Sequence, residues 1–257
     1  MCGLTGFLWK NSSNMLDIQN QLELMTNSII HRGPDDDGFW IDKKSRVAIG
    51  HRRLSVLDLS SAGHQPMVSS SSRYVIAFNG EIYNHLSLRK ILDSELDGAI
   101  HWIGHSDTET LLSCFESWGV DDTLRKINGM YSIALYDTKY DSLYLIRDRM
   151  GEKPLYYGWS GDVFLFGSEL KPLKAFHSFS GEIDRNALAL YLKYDYVPSP
   201  YSIYKGIKKL PQGSYVKISM VNNSWSKEYI QDPNYYWSMN DIAKSGKSAK
   251  RFNGSDK

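Results

Sequence analysis

Cys2 stands directly after the initiator methionine, and its position matters more than its type. Removal of Met1, usual when the second residue is small, would put a thiol and a free α-amine on one residue. An α-amine has a pKa of about 7.7–8.0, so part of it is neutral near pH 7 and can take the thiol proton without a histidine. That is the N-terminal form of a nucleophile paired with its base. Alone, a cysteine at position two is more often just a residue near the start. Further along, Asn79-Gly80 follows an apolar run over residues 74–78. An Asn side chain and the next backbone N–H can converge on one oxygen, as an oxyanion hole requires. The same dipeptide is equally the strongest short signal for a hairpin turn. Arg52 and Arg53 lie in a strand-like segment, where a guanidinium fork either clamps a carboxylate, such as that of a free amino acid, or lines a solvated face. Asp107 either accepts from a substrate ammonium or complements the first turn of a helix.

The elements that carry these residues alternate between two periods. Residues 3–9 read as a buried strand. Residues 15–30 place Ile18, Leu22, Met25 and Ile29 at helical spacing, and His31-Arg32-Gly33-Pro34-Asp35 ends that helix as a loop. Residues 46–57 and 73–78 read as strands, and 86–92 as a short helix. Ser106-Asp107-Thr108-Glu109 has the capping-box pattern ahead of Leu111, Leu112 and Phe115, with Gly119 as the expected stop. Strands follow over 130–136, 142–147, 154–157 and 163–166, then a helix over 184–194 and a strand over 213–219. Strands in runs with helices set apart predict an α+β layered fold. The segment 240–257 is polar, basic and rich in Ser, Lys and Gly, and reads as a linker or tail leading toward a further domain.

Composition narrows the class of function. The 257 residues carry a formal net charge of +1, which gives no reason to expect nucleic acid or a membrane surface as a partner. Two cysteines, Cys2 and Cys114, cannot build a disulfide framework, so the cytoplasm is the expected compartment. The start of the chain has no basic region and too short an apolar run for a signal peptide. Cys114, beside Leu111 and Phe115 on a predicted helix, reads as a buried structural thiol. His101 and His105 have the spacing of two metal ligands, but a polar loop is the better reading and no metal is expected. Gly246-Lys247-Ser248 echoes a phosphate loop without its leading glycine, and Ser180-Gly181-Glu182-Ile183-Asp184-Arg185 reads as a helix cap.

In order along the chain, Cys2-Gly3, His31-Arg32-Gly33-Pro34-Asp35, Arg53-Leu54-Ser55-Val56, Asn79-Gly80-Glu81-Ile82-Tyr83-Asn84 and Ser106-Asp107-Thr108-Glu109 resemble the signature of class II glutamine amidotransferases. The segments 129–137, 147–157 and 167–171 are similar to the asparagine synthetase branch. The resemblance runs from Cys2 to about Gln212. It implies an N-terminal-nucleophile four-layer sandwich, with two antiparallel sheets between helical layers. It implies that Cys2 attacks the glutamine side-chain amide while its own α-amine shuttles the proton, and that Asn79 and the Gly80 N–H hold the oxyanion. It also implies that Arg53 binds the α-carboxylate and Asp107 the α-ammonium, with Leu54, Val56 and Glu81 lining the pocket. Ammonia would pass to a C-terminal synthetase domain that uses ATP and Mg²⁺ to amidate aspartate. Residues 2–212 would then be the glutaminase domain, which needs no cofactor of its own. Residues 213–239 would be a connecting segment and 240–257 the tail, and a homodimer is left open. Glu152 departs from the apolar residue common in the family, in a segment expected near the partner domain. The rival readings are an amidotransferase of the glucosamine-phosphate or phosphoribosylamine type, a paralogue amidating a sugar acid or other carboxylate, and an inactive binding module.

Overall fold

The computed structural model describes residues 1–10, 17–222 and 224–248. Its strands, numbered in chain order, form two six-stranded sheets in which every pairing is antiparallel. Across the first sheet lie β10 (Ile207–Lys209), β8 (Tyr156–Ser160), β9 (Val163–Gly167), β1 (Gly3–Trp9), β3 (Val47–Arg53) and β2 (Asp36–Asp42). Across the second lie β12 (Asn234–Tyr235), β11 (Ser214–Ser219), β7 (Ser142–Arg147), β6 (Gly129–Asp137), β5 (Tyr74–Ile82) and β4 (Met67–Val68). Helices α1 (Ile18–Asn27) and α4 (Leu170–Lys174) cover the first sheet, and α2 (His85–Glu95) and α3 (Asp107–Lys126) cover the second. Helices α5 (Arg185–Tyr194) and α6 (Met239–Ser248) complete the described chain.

Three apolar clusters separate the four layers, as the period-two alternation of a strand requires. Leu4 and Leu8 of β1, Val47 and Ile49 of β3, and Val75 and Ala77 of β5 meet between the sheets. Phe7 and Trp9 turn outward to Leu22 and Met25 of α1, while Tyr74, Ile76 and Phe78 turn outward to Leu111 and Phe115 of α3. Leu4, Phe7 and Leu8 are fully buried, and each such side chain stabilises the fold by about 1.5–3 kcal/mol. The strand that follows Cys2 is therefore held firmly on both faces.

Several boundaries differ from the sequence reading. β2 appears where no strand is predicted. β3 ends at Arg53, four residues early, because the Leu54 backbone is taken by the Cys2 thiol instead of a strand partner. The helix expected over 15–30 is described only from Ile18 to Asn27, and its predicted start falls outside the described residues. Gly119 interrupts α3 instead of ending it: at φ 74 and ψ −176 it kinks the helix in a conformation glycine alone adopts freely. In the capping box, Ser106 accepts the Glu109 N–H, but the Glu109 carboxylate turns to Ile103 N–H, Gly104 N–H and Arg89. The expected connecting segment 213–239 adds β11 and β12 to the second sheet. The tail begins as α6, started by Ser238, whose carbonyl accepts the Ile242 N–H.

Candidate active site

Strand alternation brings the candidate residues to one end of the sandwich. Cys2 shares the parity of Leu4 and Leu8, Arg53 that of Val47 and Ile49, and Asn79 that of Val75 and Ala77, so all three face the space between the sheets. Arg52, one residue off, points the other way, to Asn27 of α1 and to Asp37. The result is a cleft of about 180 Å³. Cys2, Arg53, Leu54, Val56, Asn79, Gly80, Glu81 and Asp107 all line it.

The Cys2 thiol is held from two sides by one residue. Its Sγ accepts the Leu54 N–H at 3.3 Å and lies 3.5 Å from the Leu54 carbonyl. Burial pushes the thiol up, while the Leu54 N–H, the positive amino terminus and Arg53 pull it down. Arg32 fixes the Cys2 carbonyl through Nε at 2.9 Å and pairs with Glu169 at the same distance. Ser168 Oγ accepts the Leu4 N–H at 3.1 Å. The 31–35 and 167–171 motifs thus serve to anchor the start of β1. Met1 also lines the cleft, and its Sδ lies 3.4 Å from Nζ of the buried Lys153.

Hydrogen-bond parity along β5 sets the next group. Phe78 and Ile82 aim their N–H groups away from β6, to Gln65 Oε1 at 2.7 Å and Asp107 Oδ2 at 2.9 Å. Gly80 lies midway between them, so its N–H leaves the same edge toward the cleft. The Asn79 side chain is buried, and its Nδ2 has no hydrogen-bond partner among the described residues. A buried donor without a partner costs about 1–3 kcal/mol, which a bound oxygen would relieve. Gly80 is required by close approach: an added Cβ would collide with the Met130 carbonyl and lie 2.7 Å from Tyr131 Cα. Asn84, at the end of that motif, bonds to Asn128 and Lys126 and closes the strand, away from the cleft.

The charged walls are equally constrained. The Arg53 guanidinium is aimed by the carbonyls of Asp58 and of Ser60, the latter at 3.0 Å, and sits 4.0 Å from Asp36. Asp58 is held at about 2 by hydrogen bonds from Ser60 and His105, which clasp the 58–62 loop to the entry of α3. Asp107, at the first position of α3, is 5% exposed, and burial pushes its carboxyl up to about 6. Opposite charges, Arg53 and Asp107, therefore face one cleft that also holds a thiol and aligned donors. The Arg147-Asp148 motif is architectural. Arg147 donates to the carbonyls of Gly151, Lys153 and Leu210, while Asp148 accepts from the N–H groups of Tyr131, Met150, Glu152 and Lys153. That rigid loop delivers Lys153 to the cleft.

The sequence reading does not single out Gln65, Asp58, Thr108 or Lys153, all of which line the cleft, or His51 behind it. Thr108 and Lys153 lie inside the 106–109 and 147–157 segments; Gln65 and His51 carry no signal of their own. Cys114 is fully buried on α3, with its thiol pushed up to about 12 by desolvation. Among the described residues, no group of three or more His, Cys, Asp or Glu could hold a metal ion, and no helix is long and apolar enough to cross a membrane.

Comparisons with known proteins place the chain in a family. Residues 1–230 match the glutamine amidotransferase domain family. The chain is 33% identical over 259 residues to the putative asparagine synthetase [glutamine-hydrolyzing] 2 of Methanocaldococcus jannaschii, covering 94% of this chain and 47% of that protein. It is 34% identical to asparagine synthetase [glutamine-hydrolyzing] 1 of Bacillus subtilis, covering 90% and 35% respectively. It is 37% identical to asparagine synthetase [glutamine-hydrolyzing] 3 of the same organism, covering 82% and 33%. The chain thus spans between a third and a half of the curated relatives it matches. Among solved structures, the glutamine phosphoribosylpyrophosphate amidotransferase of B. subtilis superposes with a TM-score of 0.66 at 17% identity, over 93% of this chain and 50% of that one. That likeness is one of fold. From the family match across nearly its whole described length, the chain belongs to the class II glutamine amidotransferase domain family.

Proposed function

We propose that the mature chain begins at Cys2 and hydrolyses the side-chain amide of glutamine. The observation that carries this reading is the Cys2 Sγ held against the Leu54 backbone in the same cleft as the buried Asn79 Nδ2, which has no partner among the described residues. In this reading the Cys2 α-amine takes the thiol proton, and sulfur attacks the amide carbon. Asn79 Nδ2 and the Gly80 N–H stabilise the oxyanion. Collapse forms a thioester and expels ammonia, which leaves with the proton from the amine. Water then attacks the thioester, giving glutamate and restoring the thiol. Arg53 holds the substrate α-carboxylate and Asp107 its α-ammonium, while Leu54, Val56 and Glu81 shape the walls. Removing Met1 would also open the volume its side chain fills beside Lys153.

The relatives' names support a second half to the reaction. In a longer protein, the ammonia would serve a C-terminal synthetase domain that amidates aspartate with ATP and Mg²⁺. The two free thiols fit the reducing cytoplasm. The test is direct. Intact mass should lack Met1, and the chain should release glutamate from glutamine. Cys2→Ala should release none, and a glutamine-derived electrophile should label Cys2 while leaving the buried Cys114 untouched. Glutamate release by a Cys2→Ala variant would refute the mechanism.

A further inference from the structure

The backbone of Phe78 is gripped at both its N–H and its carbonyl from outside its own sheet. β4 flanks β5 only as far as Ile76, so beyond that residue the outer edge of β5 has no neighbouring strand among the described residues. Two side chains take that place. Gln65 Oε1 accepts the Phe78 N–H at 2.7 Å, and His51 Nε2 lies 3.0 Å from the Phe78 carbonyl. Gln65 also donates from Nε2 to Thr108 Oγ1 at 3.2 Å, beside Asp107. A carbonyl oxygen can only accept, so His51 carries its proton on Nε2. Its Nδ1 is then a bare acceptor, buried without a partner among the described residues. The hydrogen bond crosses from the first sheet to the second, because His51 shares the inward parity of Ile49 and Arg53.

We propose that His51 and Gln65 are positioning residues that set the Asn79 and Gly80 donors by acting as a surrogate strand on the edge of β5. This rests on the reading of Asn79 and Gly80 as oxyanion donors. The Phe78 carbonyl belongs to the peptide that leads directly into Asn79. Rotation of that peptide would swing both the Asn79 side chain and the Gly80 N–H, and a displacement of about 1 Å in such a group costs up to about a hundredfold in rate. The imidazole is neutral near pH 7. Burial, Arg53 and His64 hold it down to about 4, against the opposing pull of Asp36 and the Phe78 carbonyl.

Glutaminase kinetics on the full chain test this. His51→Leu should lower kcat by about ten- to a hundredfold while KM moves by less than about threefold. His51→Gln, whose amide nitrogen can reach the same carbonyl, should recover most of that loss. Gln65→Leu should lower kcat and also raise KM, because it frees Thr108 beside Asp107. A folded His51→Leu chain with wild-type kcat overturns the proposal. Nitrogen-15 NMR of wild-type His51 decides the matter independently of any variant's folding. An Nε2–H tautomer at about pH 8 supports the proposal, and an Nδ1–H tautomer overturns it. A wild-type chain that forms no glutamate would instead refute the glutaminase reading on which the proposal stands.

Discussion

Asp107 meets two opposed demands. Its carboxyl accepts the Ile82 N–H at the first turn of α3, yet burial pushes it up to about 6. Only the ionised form attracts an ammonium. Glutamine affinity should therefore be full above about pH 6 and fall by about tenfold per pH unit below it. Folding feels the same shift with the opposite sign. A carboxyl raised above its unfolded value makes the ionised form a burden on the folded chain, by roughly 1–3 kcal/mol at pH 7. That burden fades as pH falls from about 6 toward about 4. Asp107→Asn should thus raise Tm at pH 7.5, lose that advantage near pH 4, and abolish glutamine binding. Calorimetric titration of glutamine into a Cys2→Ala background, with and without Asp107→Asn, measures this. Binding that keeps its pH 6 inflection without Asp107 would remove the carboxylate from the site.

The loop between β3 and β4 places Arg53, and one glycine in it makes a sharp test. At Gly63, an added Cβ would collide with Arg53 Nη2 and lie 2.7 Å from its Cζ. The obstacle is the far end of a flexible side chain, so the fold can absorb it, but the guanidinium must shift. Gly63→Ala should leave Tm within a few degrees while raising the glutamine KM by about ten- to a hundredfold, the effect of misplacing a carboxylate clamp. Equal KM values would mean that Arg53 does not hold the substrate from this position. At this scale the sequence is legible only in part. β1, β6 and β7 stand out as apolar runs bounded by turn residues. β2 does not, since Asp36-Asp37-Gly38 opens it with turn-forming residues and only pairing with β3 makes it a strand. Asn79 and Asp107 are legible in type and ambiguous in role. What the sequence does not show is their meeting: residues 2, 53, 79 and 107 line one cleft because β1 begins, β3 ends and β5 passes on the same side of the sandwich. Gln65 and His51 are illegible because what they do depends on an edge of β5 that only the sheet order defines.

At the scale of the molecule, the proposed glutaminase parts form a closed set. Nucleophile, base, oxyanion donors and both charged clamps lie between Cys2 and Asp107, and the second sheet and its helices serve to hold them. Nothing in that set calls for a nucleotide: thioester formation and its hydrolysis conserve charge and need only water. The glutaminase half-reaction should therefore run on this chain without ATP, with glutamate and ammonia appearing in equal amounts. Asparagine should not form, because the chain spans less than half of each asparagine synthetase compared above, and the activation of aspartate belongs to the remainder in this reading. The measurement is an assay of the purified chain with glutamine, aspartate, ATP and Mg²⁺, following glutamate, AMP and pyrophosphate together. Glutamate without AMP is the expected outcome, unchanged when ATP is omitted. AMP and pyrophosphate that track aspartate would require an ATP site within these 257 residues and would overturn the division of labour proposed here.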